Sequence, residues 1–250
     1  MRIGVISTVA ATILAGALHA QSTPPRIVLV ELFTSEGCSS CPPADALLRK
    51  LNGIKTDSGQ LIVGISEHVT YWNSLGWADP FSQETYTERQ NGYGERFRLD
   101  SVYTPQVVVN GEKQVLGSDG NAILKAVAMA EPASPVMLHI DSVAPSAKTL
   151  AVTFSVAGQS TRSFDIYAVI ADDMATSSVL RGENSGRTLS HVSVARSLSK
   201  VATVKEPKSV TISLPVPGLV KGQPETGRHL ILFAQEGGQG KVLAIESKAL

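Results

Sequence analysis

Two cysteines three residues apart on a strand-to-helix turn, a proline-led hairpin further along, and a second half made of short β-type runs divide this chain in two. They predict an α/β domain followed by an all-β, sandwich-like C-terminal domain. The 250 residues suffice for two ordinary domains, and 43% hydrophobic against 18% charged residues allows a sizeable core. Lys plus Arg and Asp plus Glu each total 22, with no long run of one sign. That balance excludes the basic surface expected of a nucleic-acid binder or of a protein that sits on anionic lipid.

Residues 1–20 read as a signal peptide. Arg2 supplies the positive start, Ile3 to Leu18 is apolar and small, and Ala15-Gly16-Ala17 or Leu18-His19-Ala20 offers the small residues of a cleavage site. The run falls short of the roughly 20 residues a spanning helix needs, so no membrane span is expected after cleavage. A periplasmic or secreted location follows, and disulfides persist in such compartments.

Ile27 to Phe33 is a continuous apolar run broken only by Glu31, the pattern of a strand buried on both faces. Gly37 provides a turn, and apolar residues at 44, 47, 48 and 51 mark a helix face beginning at Pro42. Leu61 to Ser66 reads as a second buried strand, giving a β-α-β unit with a parallel pair. From Ser82, read as the N-cap, Tyr86, Arg89, Gln90, Tyr93 and Phe97 fall at helical spacing. Val107-Val108-Val109, Asn110-Gly111 and Gln114-Val115-Leu116 form a hairpin pattern, and Ile123 to Ala130 forms a closing helix. The order β-α-β-α-β-β-α is that of a thioredoxin fold, assigned to residues 26–131, with the boundary at Pro132 and Pro135. Over 135–250, seven β-type runs separated by Gly, Pro, Ser and Asn predict the sandwich: 136–141, 150–156, 164–170, 191–197, 210–214, 230–235 and 242–246.

The chemistry is expected at Cys38 and Cys41. A thiolate is the attacking species, and a free thiol with a pKa of about 8.5 is mostly protonated near neutrality. A helix N-terminus favours the ionised form through its dipole and unpaired N–H groups. Cys38 is the expected nucleophile and Cys41 the resolving thiol, with a protein thiol or disulfide as partner. Pro42 and Pro43 remove two donors, Ser39 and Ser40 stand as auxiliaries, and no basic residue lies between the cysteines. An inert disulfide is the competing reading, although so small a ring removes little loop entropy. Thr104-Pro105 is expected to be cis and to orient a bound chain, Trp72 and Trp77 either line a groove or fill a core, and His68 is a weak general-base candidate. Two cysteines cannot make a four-Cys zinc site. A copper or zinc site would need His68, His139, His191, His229, Glu31, Glu36 or Asp45, and no spacing selects one, so neither metal nor cofactor is assigned. The stretch Gly182-Glu183-Asn184-Ser185-Gly186-Arg187 reads as an ordered loop before a strand.

Several of these segments together resemble one family. They are Glu31 to Asp45 around the cysteines, His68-Val69-x-Tyr71-Trp72 with Leu75-Gly76-Trp77-x-Asp79-Pro80-Phe81, Tyr103-Thr104-Pro105-Gln106, and Gly182-Glu183-Asn184-x-Gly186-Arg187. This set is similar to the secreted, thioredoxin-like bacterial family named domain of unknown function 1223. The resemblance implies an exported thioredoxin-fold domain with an appended β-domain, and no established substrate. Acidic residues often stand in that family where this chain has Thr70 and Asn73.

Overall fold

Val28, Val30 and Leu32 face one side of β1 (Arg26–Thr34) while Leu29, Glu31 and Phe33 face the other, and all six are buried. A strand covered on both faces belongs inside a sheet. β1 pairs in parallel with β2 (Gln60–His68) and antiparallel with β3 (Gln106–Val109), which turns through Asn110-Gly111 into β4 (Lys113–Leu116). Asn110 and Gly111 have φ of 53° and 68°, the left-handed geometry that favours Asn and Gly, within the three-residue turn that joins Val109 to Lys113. α1 (Pro42–Leu51) connects β1 to β2, and α2 (Glu84–Phe97) follows β2 after Gln83, not Ser82, as its N-cap. α3 (Gly120–Met129) begins at Asp119, whose carboxylate accepts a 2.9 Å hydrogen bond from the Ala122 N–H. The structure is a computed structural model describing residues 26–130, 135–221 and 226–250. The expected signal peptide and the boundary at 132 lie outside the described residues.

The second half supplies β5 (Met137–Pro145), β6 (Thr149–Ala157), β7 (Phe164–Ser178), β8 (Thr188–Val204), β9 (Lys208–Pro215), β10 (Arg228–Glu236) and β11 (Val242–Ala249). They do not form the separate sandwich that the sequence predicts, nor is the first half a free-standing α/β thioredoxin unit. Strands occupy 47% of the described residues and helices 17%, and one mixed eight-stranded sheet, β11-β10-β7-β8-β2-β1-β3-β4, takes strands from both halves. The joint is Val194 of β8, paired in parallel with Ser66 of β2. β2 would otherwise leave this edge unpaired, and β8 meets it at the Ser66–Val194 pair. β7 and β8 reach 15 and 17 residues, far beyond the apolar runs that announce them, because their mutual antiparallel pairing continues from Phe164–Val204 to Ser178–Thr188 through buried and exposed residues alike.

Three apolar clusters hold the layers. α1 and α3 cover one face of β1 and β3 through Ala44, Leu48, Ile123, Val127, Val28 and Val109. Farther along that sheet, the smaller sheet β5-β6-β9 packs Ile140, Val152 and Phe154 on Ile166, Ile170 and Leu232. Leu29, Ile65, Ala195, Val169 and Ile231 form one continuous apolar band across five strands, and Tyr86 of α2 packs against it.

Arg89 of α2 enters the sheet from the same helix and is only 5% exposed. Its Nε donates to Glu31 Oε1 at 2.5 Å, and Nη2 donates to Tyr93 Oη at 3.0 Å and Gln235 Oε1 at 3.1 Å. The guanidinium also lies 5.1–5.2 Å from the ring centroids of Tyr93, Tyr167 and Phe233. Glu67 stands 3.8 Å from Arg89 with no hydrogen-bond partner on either oxygen. Burial first, and the neighbouring Glu31 charge second, push its carboxyl well above the usual range. Arg89→Met leaves Glu31 buried without its cation and is expected to cost about 3–5 kcal/mol in chemical denaturation. Glu67→Gln, which resembles the form that burial already favours, is expected to cost about 1 kcal/mol or less.

Candidate functional site

The end of β1 and the start of α1 fix the cysteine turn. The Cys38 N–H donates to Ser35 O and the Cys41 N–H to Cys38 O, both at 3.2 Å, so the loop coils into the helix. Cys41 is the N-cap, with Pro42 and Pro43 in the first turn. Its φ of −78° and ψ of −37° are helical, although a following proline disfavours that region. The two cysteines form a disulfide with Cα atoms 5.4 Å apart, and both are fully buried. Ser39 and Ser40 are exposed, and Ser40 Oγ lies 3.4 Å from Cys38 Sγ.

The other predicted residues assemble beside the turn to different degrees. A Cβ on Gly37 would come within 3.1 Å of Trp72 Cβ, so the turn and the Trp72 segment meet closely. Trp72 Nε1 donates to Thr104 Oγ1 at 2.8 Å, which ties Thr104 and the cis Thr104-Pro105 bond to the same neighbourhood. The Trp72 ring also packs on Phe33, Val69, Tyr93 and Val108, so it belongs to a core cluster as well. Trp77 Nε1 donates to Glu36 Oε2 at 2.7 Å. His68 is fully buried, with Nδ1 donating to Asp79 Oδ2 at 2.7 Å and Nε2 lying 3.3 Å from Ser66 Oγ. Asp79 accepts from the Glu36 N–H too, and although burial opposes its charge, His68 outweighs burial and lowers its pKa. So placed, His68 is held by its partners and is not open to a substrate.

Sequence reasoning missed three residues that the fold brings to the turn. His191 of β8 lies 3.4 Å from Glu36 Oε1 and 3.5 Å from Asp45 Oδ1, distances of ion pairing more than of hydrogen bonding. Asp45 stands one helical turn after Cys41 and accepts from Thr34 Oγ1 at 3.0 Å. The second half therefore supplies a cation to Glu36 and Asp45, the carboxylates flanking the cysteines in sequence. Asn184 is fully buried, and its Nδ2 donates to Glu36 O and Cys38 O, both at 2.9 Å. The Ser39 N–H donates to Glu183 Oε2 at 3.0 Å. The only sequence signal for the last pair was the Glu183-Asn184-x-Gly186-Arg187 segment, read as a plain loop.

Among the described residues no three His, Cys, Asp or Glu side chains converge as a metal site, and no helix is long and apolar enough to cross a membrane. Burial alone would lower the pKa of His191, but Asp45 and then Glu36 outweigh it and raise it from 6.5 to about 10. A group whose folded pKa is raised contributes its full stability below the unfolded value and loses it as the pH climbs to the folded one. Stability is thus expected to fall by up to about 1.4 kcal/mol per pH unit between about 6.5 and 10. Urea denaturation across that range is expected to show the slope in the parent chain and to lose it in His191→Gln.

The overall fold has counterparts among solved structures. Protein AGR_C_4864 from Agrobacterium tumefaciens is 26% identical, with 90% of this chain and 95% of that chain aligned at a TM-score of 0.64. HBP35 of Porphyromonas gingivalis, 11% identical over 91% of this chain and 76% of that one, shares the fold at a TM-score of 0.62. No curated protein matches. The family described as "Protein of unknown function (DUF1223)" matches residues 29–235, most of the chain, and the chain belongs to that family.

Proposed function

We propose that this is an exported thiol-disulfide exchange protein working through Cys38 and Cys41. The observation that carries the reading is the disulfide closed across the N-terminus of α1, where the helix dipole favours a thiolate once the bond opens. Ser40 Oγ at 3.4 Å from Cys38 Sγ adds a donor where Pro42 and Pro43 have none. In the exchange, Cys38 thiolate attacks a partner disulfide, forming a mixed disulfide and releasing one partner thiol. Cys41 thiolate then attacks Cys38 Sγ, restoring the internal bond and expelling the second partner thiol. Two electrons pass to the partner, and solvent supplies its two protons. The reverse sequence oxidises a partner dithiol. Thr104, Pro105, Trp72 and Trp77 are proposed to border the surface on which the partner lies, and the expected signal peptide places the reaction in the periplasm or outside the cell.

A second reading, a non-catalytic binding protein with a structural bridge, is favoured by the complete burial of both sulphurs. Equilibration against glutathione separates the two. Exchange predicts a reduction potential above about −300 mV, and a structural bridge one below it. Under the exchange reading Cys41→Ala is also expected to accumulate mixed disulfides at Cys38, visible as reductant-sensitive adducts by mass. Absence of adducts together with a potential below that bound excludes exchange.

A further inference from the structure

The tip of the β7–β8 hairpin sits on the cysteine turn, and its contacts there are specific. The Cys38 carbonyl and the Ser39 N–H are main-chain groups beside the candidate reactive sulphur. Asn184 occupies the first and Glu183 the second. A partner chain that hydrogen-bonds to the turn needs those same groups. The tip is closed on its own neck: the Gly186 N–H donates to Val179 O at 2.8 Å and the Val179 N–H to Arg187 O at 2.9 Å. Arg187 Nη1 donates to Asn184 Oδ1 at 3.1 Å, aiming the amide so that Nδ2 faces the turn. A Cβ on Gly182 would come within 3.2 Å of Trp77 Cβ, so the tip is wedged between the turn and the tryptophan segment.

Little else holds the tip down. Asn184 is the sole buried residue from 180 to 188, and Leu180, at 72% exposure, makes no core contact. A segment with few buried apolar contacts opens locally at a small fraction of the cost of global unfolding. The long strands behind it stay paired, so the tip can lift as a unit from its neck.

We propose that Glu183 and Asn184 gate the Cys38–Cys41 disulfide: exchange requires the 182–187 tip to release Cys38 O and the Ser39 N–H. This rests on the exchange reading for its physiological meaning, while the gate itself is measured on the oxidised protein alone. With dithiothreitol as probe, one thiolate attacks Cys38 Sγ, the Cys38–Cys41 bond breaks, and the electron pair leaves on Cys41 sulphur, which takes a proton from solvent. The second thiol of the reagent, losing its proton to solvent, then displaces Cys38, leaving cyclic oxidised reagent and a reduced protein.

The test is the rate of that reduction, followed by alkylation and mass in parent, Asn184→Ala and Glu183→Gln chains. Loss of the two Asn184 hydrogen bonds is expected to raise the rate about 10- to 30-fold, and loss of the Glu183 charge a few-fold. A Leu214→Ala chain, destabilised in the distant core of the smaller sheet, is expected to keep the parent rate. Unchanged rates in both tip variants overturn the gate, as does an equal acceleration in Leu214→Ala, which would assign exposure to global opening. Should Asn184→Ala fail to fold, Glu183→Gln decides, because its side chain is exposed and its loss leaves the core intact. A fast-reducing Asn184→Ala chain that still forms no mixed disulfide after Cys41→Ala would keep the gate and discard exchange.

Discussion

A guanidinium with 5% of its surface exposed is tolerable in a sheet protein only if its charge is paired, and Arg89 draws its partners from both halves of the chain. Glu31 comes from β1, Tyr93 from α2 itself, Gln235 and Phe233 from β10, and Tyr167 from β7. Tyr93 Oη donates in turn to Glu31 Oε2 at 2.6 Å and accepts from Gln235 Nε2 at 2.9 Å. Leaving Glu31 alone would strand a buried charge, and leaving Arg89 alone would do the same. The requirement that both be satisfied brings strands of the two halves to a common sheet, with α2 across its face.

The same logic operates on the opposite side, at the cysteines. β8 must run beside β2 to complete the sheet, and that placement carries His191 between Glu36 and Asp45. Two carboxylates buried next to a disulfide would be costly without a cation, and they keep the imidazole protonated in return. The hairpin that ends in β8 also carries Asn184 to the turn. Packing of the second half therefore sets both the electrostatics and the access of the pair in the first half.

Much of the local structure was legible. The apolar run at 27–33, the helix face from 44 to 51 and the Asn110-Gly111 turn depend on neighbours within a few residues, and they stand where the pattern places them. The Thr104-Pro105 bond is cis, as its place before a strand and the order of the surrounding elements predict. The division into an α/β unit and a sandwich was not right, and the error has a physical cause. His191, Ser193 and Glu67 are polar residues of the kind a half-wet strand turns to solvent, yet all three are buried, His191 beside Glu36 and Asp45, Ser193 against His229 and Glu67 near Arg89. Alternation reports burial on one face only when the other face meets water.

The sequence by itself determined that two thiols lie three residues apart where a strand passes into a helix, since hydrogen bonding and proline geometry over a dozen residues suffice for that. It also determined the fold of each short element. Only the tertiary structure decided that a histidine and an asparagine some 150 residues away complete the turn, as the Asn184 to Cys38 separation of 146 residues illustrates. Such pairings are chosen by the satisfaction of buried charges and strand edges across the whole molecule, and no local periodicity encodes them.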